Sequence, residues 1–469
     1  MEKYDLHSNK ASCFMNQQKV DENLQKAISF SKDDIYINEV IKKAKSMQGL
    51  EPIEATALLL SNVDIIEIYK LAQDIKDSYY GNRIVLFAPL YLSNYCVNSC
   101  TYCPYHVLNK TMPRKKMSQD EIKKEVIALQ DMGHKRIALE LGEDPVHNPI
   151  EYVLESIDTI YGIHHKSGAI RRLNVNIAAT TEENYKLLHT AQIGTYILFQ
   201  ETYNKQNYEH LHPRGPKHNY DYHTEAMDRA MSAGIEDVGL GVLFGLHNYA
   251  YEFIALLMHA KHLEELYGAG PHTISVPRLR PADGIDVSSF KNALPDDIFL
   301  KIIALLRISV PYTGLIISTR ESKSIREKAL KLGISQISGG SKTSVGGYST
   351  LIEPDNAQFE ISDNRTLDEV VYWLMENGYI PSFCTSCYGN NRQGVDFMDI
   401  CKAKQIGQFC TPNAIITLKE YINNYASPKT KELGNQMLQK ELEKLSDRRK
   451  SSIIKRLELL NSSGEVKFF

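Results

Sequence analysis

No run of apolar residues in this chain approaches the length of a membrane span, so no transmembrane helix is expected. Neither sign of charge dominates. Lys and Arg number 54 against 57 Asp and Glu, a formal net charge of −3, which removes the electrostatic case for nucleic acid or a membrane surface as partner. The polar opening MEKYDLHSNK lacks the apolar core of a secretory signal, and the cytoplasm is the expected address. Internal repeats and low-complexity segments are missing, and no histidine follows His272. A disulfide framework is also excluded, because such frameworks belong to small secreted domains and this chain has 469 residues. The eight cysteines therefore need another explanation. Six fall in two tight groups, which points to metal ligation; Cys13 and Cys401 read as free thiols.

The first group is Cys96, Cys100 and Cys103, a CxxxCxxC within YCVNSCTYCPYH. Iron–sulfur cubanes normally take four thiolates, so a triplet leaves one iron open for a ligand that is not protein. A structural zinc site more often closes its tetrahedron with paired CxxC units. The spacing points to a catalytic cluster with an exchangeable ligand.

From about residue 82 the chain alternates strand-like and helix-like segments. Strand-like runs occupy 84–92, 136–142, 173–179, 195–201, 237–245, 272–279, 314–320 and 336–340, aliphatic and β-branched as buried parallel strands require. Ser118 with Glu121 and Thr180 with Glu183 read as helix capping boxes. Gly133, Gly194, Gly234, Gly268 and Gly333 stand where helices should end. Eight parallel strands with interleaved helices predict a closed (β/α)₈ TIM-type barrel over 81–345, with its active site at the C-terminal ends of the strands. The first triplet lies just beyond strand one, at that mouth. Residues 1–80 read as a helical N-terminal extension with segments near 34–48, 52–60 and 64–78. Residues 346–469 read as a mainly helical C-terminal Fe–S domain ending in a solvated amphipathic tract, 431–460.

CxxxCxxC with an aromatic residue, Tyr102, before its last cysteine resembles the signature of the radical S-adenosylmethionine superfamily. That resemblance implies a 4Fe-4S cluster on Cys96, Cys100 and Cys103. Its open iron would chelate S-adenosyl-L-methionine and break the sulfonium bond to release a 5′-deoxyadenosyl radical. Gly142-Glu143 stands where the family binds the ligand's amino group. Glu201 and Arg229 stand where relatives hold its ribose or carboxylate, and a salt bridge is the competing reading for each. The glycines of GLGVLFG (239–245) either admit the adenine or allow tight packing.

The second group is Cys384, Cys387 and Cys410, a CxxC followed after twenty-two residues by a third cysteine. With no histidine anywhere in the C-terminal region, a local Cys₃His zinc site is excluded and a second open-iron cluster is favoured. Together with GEDP (142–145), NVNIAATT (174–181), TYILFQETY (195–203), GPHTISVPRLRPA (270–282) and ISTRE (317–321), this triplet resembles the tyrosine lyase family that matures FeFe-hydrogenase. The resemblance covers nearly all of the chain after the first eighty residues. It implies cleavage of the Cα–Cβ bond of L-tyrosine to p-cresol and dehydroglycine, and conversion of dehydroglycine to carbon monoxide and cyanide. The second reaction would take place on a second 4Fe-4S cluster with an extra labile iron. The implied partners are free cysteine as an iron ligand, other hydrogenase maturation proteins and a ferredoxin or flavodoxin.

Arg320, at the end of strand seven, suits an amino-acid carboxylate through its planar fork, with Ser338 assisting. His272 opens strand six at the N-terminal end of the barrel and suits the labile iron, with a satisfied core histidine as the competing reading. Arg278 and Arg280 are candidates to line the substrate cavity. Two alternatives stay open: a 2-iminoacetate synthase of thiamine biosynthesis, and a non-catalytic Fe–S carrier.

Overall fold

The computed structural model describes residues 8–389 and 393–469. Residues 1–7 of the expected N-terminal extension and 390–392 of the second cysteine segment lie outside the described residues.

Eight parallel strands close into a barrel: β1 (Arg83–Ser93), β2 (Arg136–Leu141), β3 (Arg172–Asn176), β4 (Tyr196–Ile197), β5 (Val238–Gly241), β6 (Thr273–Ser275), β7 (Gly314–Ile317) and β8 (Gln336–Ser338). They pair in chain order, and β8 returns to β1 through Val85↔Gln336, Leu86↔Ile337 and Phe87↔Ser338. The TIM-type barrel expected from the strand–helix rhythm is present. Helices surround it, and the C-terminal region is mainly helical.

Most strands are shorter than their apolar runs suggest. β4 covers Tyr196–Ile197, and the pairing with β5 continues irregularly beyond it: Leu198 N–H donates to Gly239 O at 3.1 Å, Gln200 N–H to Gly241 O at 2.9 Å, and Glu201 bridges Val242. β1 is the exception, with eleven residues and a length of roughly 36 Å at ~3.3 Å per residue. It spends that length on three partners in turn. Arg83–Val85 meet a ninth strand, β9 (Ile380–Ser382), Val85–Phe87 meet β8, and Ala88–Ser93 meet β2. The sequence reading had no β9. Pro381 is tolerated there because β9 is an edge strand with β1 as its one partner. Through this pairing the C-terminal region joins the barrel's lower rim.

Helix punctuation is mostly as expected, with three corrections. Ser118 and Glu121 form the capping box of helix Gln119–Met132, and Gly133 (φ 101°) ends it in the left-handed region. The next cap is Thr181 accepting from the Asn184 amide, one residue beyond the expected Thr180. Gly194 ends no helix: helix Glu182–Thr190 stops earlier, and a Cβ on Gly194 would stand 2.2 Å from Asn174 Oδ1. The tract 431–460 is two helices, Pro428–Glu443 and Asp447–Ser463, because Ser446 turns extended to begin the second. Leu438, Ile453 and Leu460 are buried in the core by them.

The N-terminal helices Gln17–Phe30, Asp34–Ala44, Pro52–Leu60 and Ile65–Tyr79 cover the outside of the barrel; the first was not expected from the sequence. Ile68, Ala72 and Ile75 repeat at helical spacing and are fully buried. Each such isoleucine contributes about 1.5–3 kcal/mol by leaving water. No helix among the described residues is long and apolar enough to cross a membrane.

Candidate metal centres at the two ends of the barrel

Side chains alternate along a strand, so every second residue of β1 faces inward. Phe87, Pro89 and Tyr91 line an upper cavity of about 230 Å³, while Val85 lines a lower one of about 70 Å³. The upper cavity opens at the strands' C-terminal ends. The lower lies at their starts.

Cys96, Cys100 and Cys103 all line the upper cavity, carried by an irregular loop after β1. Backbone bonds fix that loop: Val97 N–H donates to Glu143 O at 2.8 Å, Ser99 N–H to Arg214 O at 3.1 Å, and Thr101 N–H to Leu211 O at 2.9 Å. Gly142 is required by close approach, since a Cβ there would lie 2.4 Å from Tyr95 O and 3.1 Å from Cys96 Cβ. Glu143 receives Asn98 Nδ2–H at 2.6 Å. Burial pushes its carboxyl up to about 8. No cation forms an ion pair with it among the described residues, so this group could hold a ligand ammonium. Tyr102 donates its hydroxyl to His212 Nε2 at 2.7 Å, because Nδ1–H of that ring is committed to Tyr208 O at 2.7 Å. Tyr102 thereby braces the cluster loop.

Burial pushes the Cys103 thiol up to about 12 and Cys100 well above its usual range, and the thiolates disfavour one another. Cationic iron is what would hold all three ionised, so the donor set fits a cluster. Among the described residues, no three ligands converge on a single ion. A cubane spreads its thiolates over separate irons, which agrees with that arrangement.

Glu201 and Arg320 also line the upper cavity, with Ser338 and Arg280. Glu201 adopts φ 68°, a conformation rare for residues other than glycine, and pairs with Lys217 Nζ at 2.8 Å. Lys217 was missed in the sequence. The Gly215-Pro216 turn that delivers it was the available signal, since a Cβ on Gly215 would strike Asn98 Oδ1. Arg320 stacks on the Phe359 ring at 3.6 Å, and among the described residues no hydrogen bond or ion pair engages its guanidinium.

Two expected residues stand elsewhere. Arg229 is not part of the cavity lining; it donates to Thr180 O and Tyr222 O and lies over the Tyr222 ring. Arg278 is absorbed by Glu321 and by Asp296 at 2.8 Å, outside the cavity. Within the 239–245 run Gly241 is required by packing, since a Cβ there would lie 2.4 Å from the Phe199 ring.

Cys384, Cys387 and Cys410 line the lower cavity together with His272, Arg136 and Phe397. Ser386 N–H points at Cys384 Sγ (3.4 Å), and Arg136 holds the Cys384 carbonyl at 3.1 Å. Burial and Cys410 push the Cys384 thiol up to about 12, so this donor set also calls for a cation. His272 Nδ1 lies 3.4 Å from Asp237 Oδ1, and burial lowers its basicity, leaving a neutral imidazole. A carboxylate behind an imidazole is the usual support of a metal-ligating histidine.

A parallel eight-strand barrel with three cysteines at its mouth defines the radical S-adenosylmethionine class. The model for that superfamily matches residues 90–259, and the Biotin and Thiamin Synthesis associated domain matches 275–380. The 2-iminoacetate synthase of Salmonella typhimurium is 30% identical over 345 residues, 73% of this chain and 89% of the relative. The crystal structure of HydG, a maturase of the FeFe-hydrogenase, is 50% identical with a TM-score of 0.93, covering 97% of this chain and all of that one. HydG from Carboxydothermus hydrogenoformans is 36% identical with a TM-score of 0.82, covering 96% and 99%. The chain belongs to the radical S-adenosylmethionine superfamily, in its HydG-like branch.

Proposed function

We propose that the protein cleaves L-tyrosine to p-cresol and dehydroglycine in the upper cavity, and converts dehydroglycine to carbon monoxide and cyanide in the lower one. The product is an iron unit for FeFe-hydrogenase maturation. The observation that carries this reading is a half-buried guanidinium with no hydrogen bond or ion pair among the described residues, beside one cysteine triplet, with a second triplet and an imidazole at the other end of the same barrel.

When bound, a 4Fe-4S cluster on Cys96, Cys100 and Cys103 and S-adenosyl-L-methionine supply a 5′-deoxyadenosyl radical. Glu143 receives the cofactor's ammonium, and the Glu201–Lys217 pair stands beside it. Arg320 grips the substrate carboxylate with two parallel hydrogen bonds, held in plane by Phe359 and close to Ser338. Tyr91, Phe87 and Tyr105 wall the cavity and keep water from reactive species. Toward the lower end the barrel interior turns small and polar. A Cβ on Gly239 would meet Thr273 Oγ1 and one on Gly314 would meet Gln336 Nε2, both at 2.7 Å. The Thr195 and Thr273 hydroxyls are buried without a hydrogen-bond partner among the described residues. A polar two-carbon fragment suits that passage. Below, Cys384, Cys387 and Cys410 would hold a second 4Fe-4S cluster and His272 its labile iron, with free cysteine completing the set. A ferredoxin or flavodoxin supplies electrons, and other maturation proteins receive the product.

The test is anaerobic incubation of the reconstituted, reduced protein with S-adenosyl-L-methionine and tyrosine. The expected products are p-cresol, carbon monoxide and cyanide. A second reading, 2-iminoacetate synthesis, is favoured by the Salmonella relative and gives p-cresol alone. No p-cresol contradicts both and leaves an iron–sulfur carrier.

A further inference from the structure

We propose that Glu140 is the base that removes a proton from the α-ammonium of the amino-acid substrate while Arg320 holds its carboxylate; this rests on the lyase reading above. Glu140 lies on β2 with Tyr91 of β1 on one side and Asn176 of β3 on the other, in the rows Tyr91↔Glu140 and Glu140↔Asn176. All three side chains face the upper cavity. Asn176 Nδ2–H donates to Glu140 Oε2 at 2.7 Å and fixes the carboxylate's orientation. Among the described residues, Oε1 accepts no hydrogen bond and no cation lies within ion-pair distance.

Arg320 and Glu140 therefore face one cavity, a cation and a carboxyl that is an anion once it has lost its proton, each within the other's field but held too far apart to pair. That is the charge pattern of a zwitterion in reverse. An α-carboxylate satisfies Arg320 and an α-ammonium satisfies Glu140. The second contact has a chemical consequence. An ammonium nitrogen has no lone pair to stabilise a radical on itself, so a hydrogen atom can leave the amino group only after a proton has gone. The step is R–NH₃⁺ + Glu140–COO⁻ → R–NH₂ + Glu140–COOH, with no change in electron count.

The surroundings suit proton uptake. Burial pushes the Glu140 carboxyl up to about 8, against the opposing pull of Arg320 and the Asn176 bond. The groups facing it from other elements are the Tyr91 phenol, the Tyr105 phenol and Arg320; burial holds both phenols neutral. A carboxylate with this affinity takes a proton readily and acts as a base above its titration.

Two measurements on the full chain test the assignment, with Glu140→Gln and Glu140→Asp beside wild type. In calorimetric binding, Glu140→Gln should weaken tyrosine roughly ten-fold and leave 3-(4-hydroxyphenyl)propanoate, which lacks the amine, within about two-fold. In the pH profile of kcat/KM for p-cresol, wild type should lose activity as pH falls through the Glu140 titration. Glu140→Gln should be slowed at least ~100-fold. Its acidic limb should move up to the titration of the free amine, and that of Glu140→Asp should move down. Wild-type rate and an unmoved limb in Glu140→Gln overturn the proposal. If Glu140→Gln binds neither ligand, an unmoved limb in Glu140→Asp overturns it instead. Absence of p-cresol from wild type overturns the lyase reading itself, a separate failure.

Discussion

The two ends of this barrel each present three cysteines to a cavity, yet they are assembled by different means. At the upper end one short loop carries Cys96, Cys100 and Cys103, and backbone bonds to residues 211–214 and Glu143 hold its shape. At the lower end Cys384 follows β9, Cys387 sits in the short helix Ser386–Gly389, and Cys410 comes from helix Gly407–Asn424. The upper triplet is complete once the barrel is. The lower one exists only when the C-terminal helices dock. Buried charge does much of that docking: Glu420 takes two bonds from Arg171, at 2.8 and 2.5 Å, and lies 3.3 Å from Lys135. Local assembly suits a centre that must hold one geometry through radical chemistry, and assembly from distant segments suits a centre that receives and releases iron.

The contrast predicts that damage at one end stays there. Arg320→Lys keeps the charge but loses the bidentate fork, and kcat/KM for p-cresol should fall about 100-fold, mostly through KM. Carbon monoxide released per p-cresol should be unchanged, because every molecule that reacts still passes down the barrel. A changed ratio would show that the ends are not independent. An effect of comparable size, on stability rather than on turnover, is expected at the junction. Glu420→Ala leaves Lys135, whose side chain is 2% exposed, without its carboxylate, at a cost of about 3 kcal/mol. Denaturant unfolding should show that loss, and iron retention should drop at the lower centre while p-cresol formation persists.

What the sequence disclosed follows from how local each signal is. The upper triplet, Gly142-Glu143 and Arg320 sit at or just past strand ends, where a barrel delivers side chains to its mouth. Eight-strand rhythm and cysteine spacing placed the triplet at the mouth, and the family resemblance singled out Gly142-Glu143 and supported Arg320. Arg229 lies outside the cavity lining because a helix position says nothing about side-chain direction: its guanidinium turns to the Thr180 and Tyr222 carbonyls and to Glu225 at 3.6 Å, in line with the competing salt-bridge reading. Lys217 and Glu140 were invisible for opposite reasons. Lys217 reaches the cavity from a turn sixteen positions after its partner Glu201, and Glu140 lies inside an aliphatic run that reads as packed strand. β9 escaped because a three-residue strand with a proline carries no alternation to recognise. The lower cavity depends on that strand, so its shape was beyond reach even though the cysteines that line it were not.

The central claim is that one barrel runs two separable reactions at its two ends. Its most direct test compares p-cresol and carbon monoxide from Cys100→Ala and Cys387→Ala under the same anaerobic conditions. Cys100→Ala should make neither product, and Cys387→Ala should make p-cresol at near wild-type rate with no carbon monoxide. Carbon monoxide from Cys387→Ala at the wild-type level would contradict that claim.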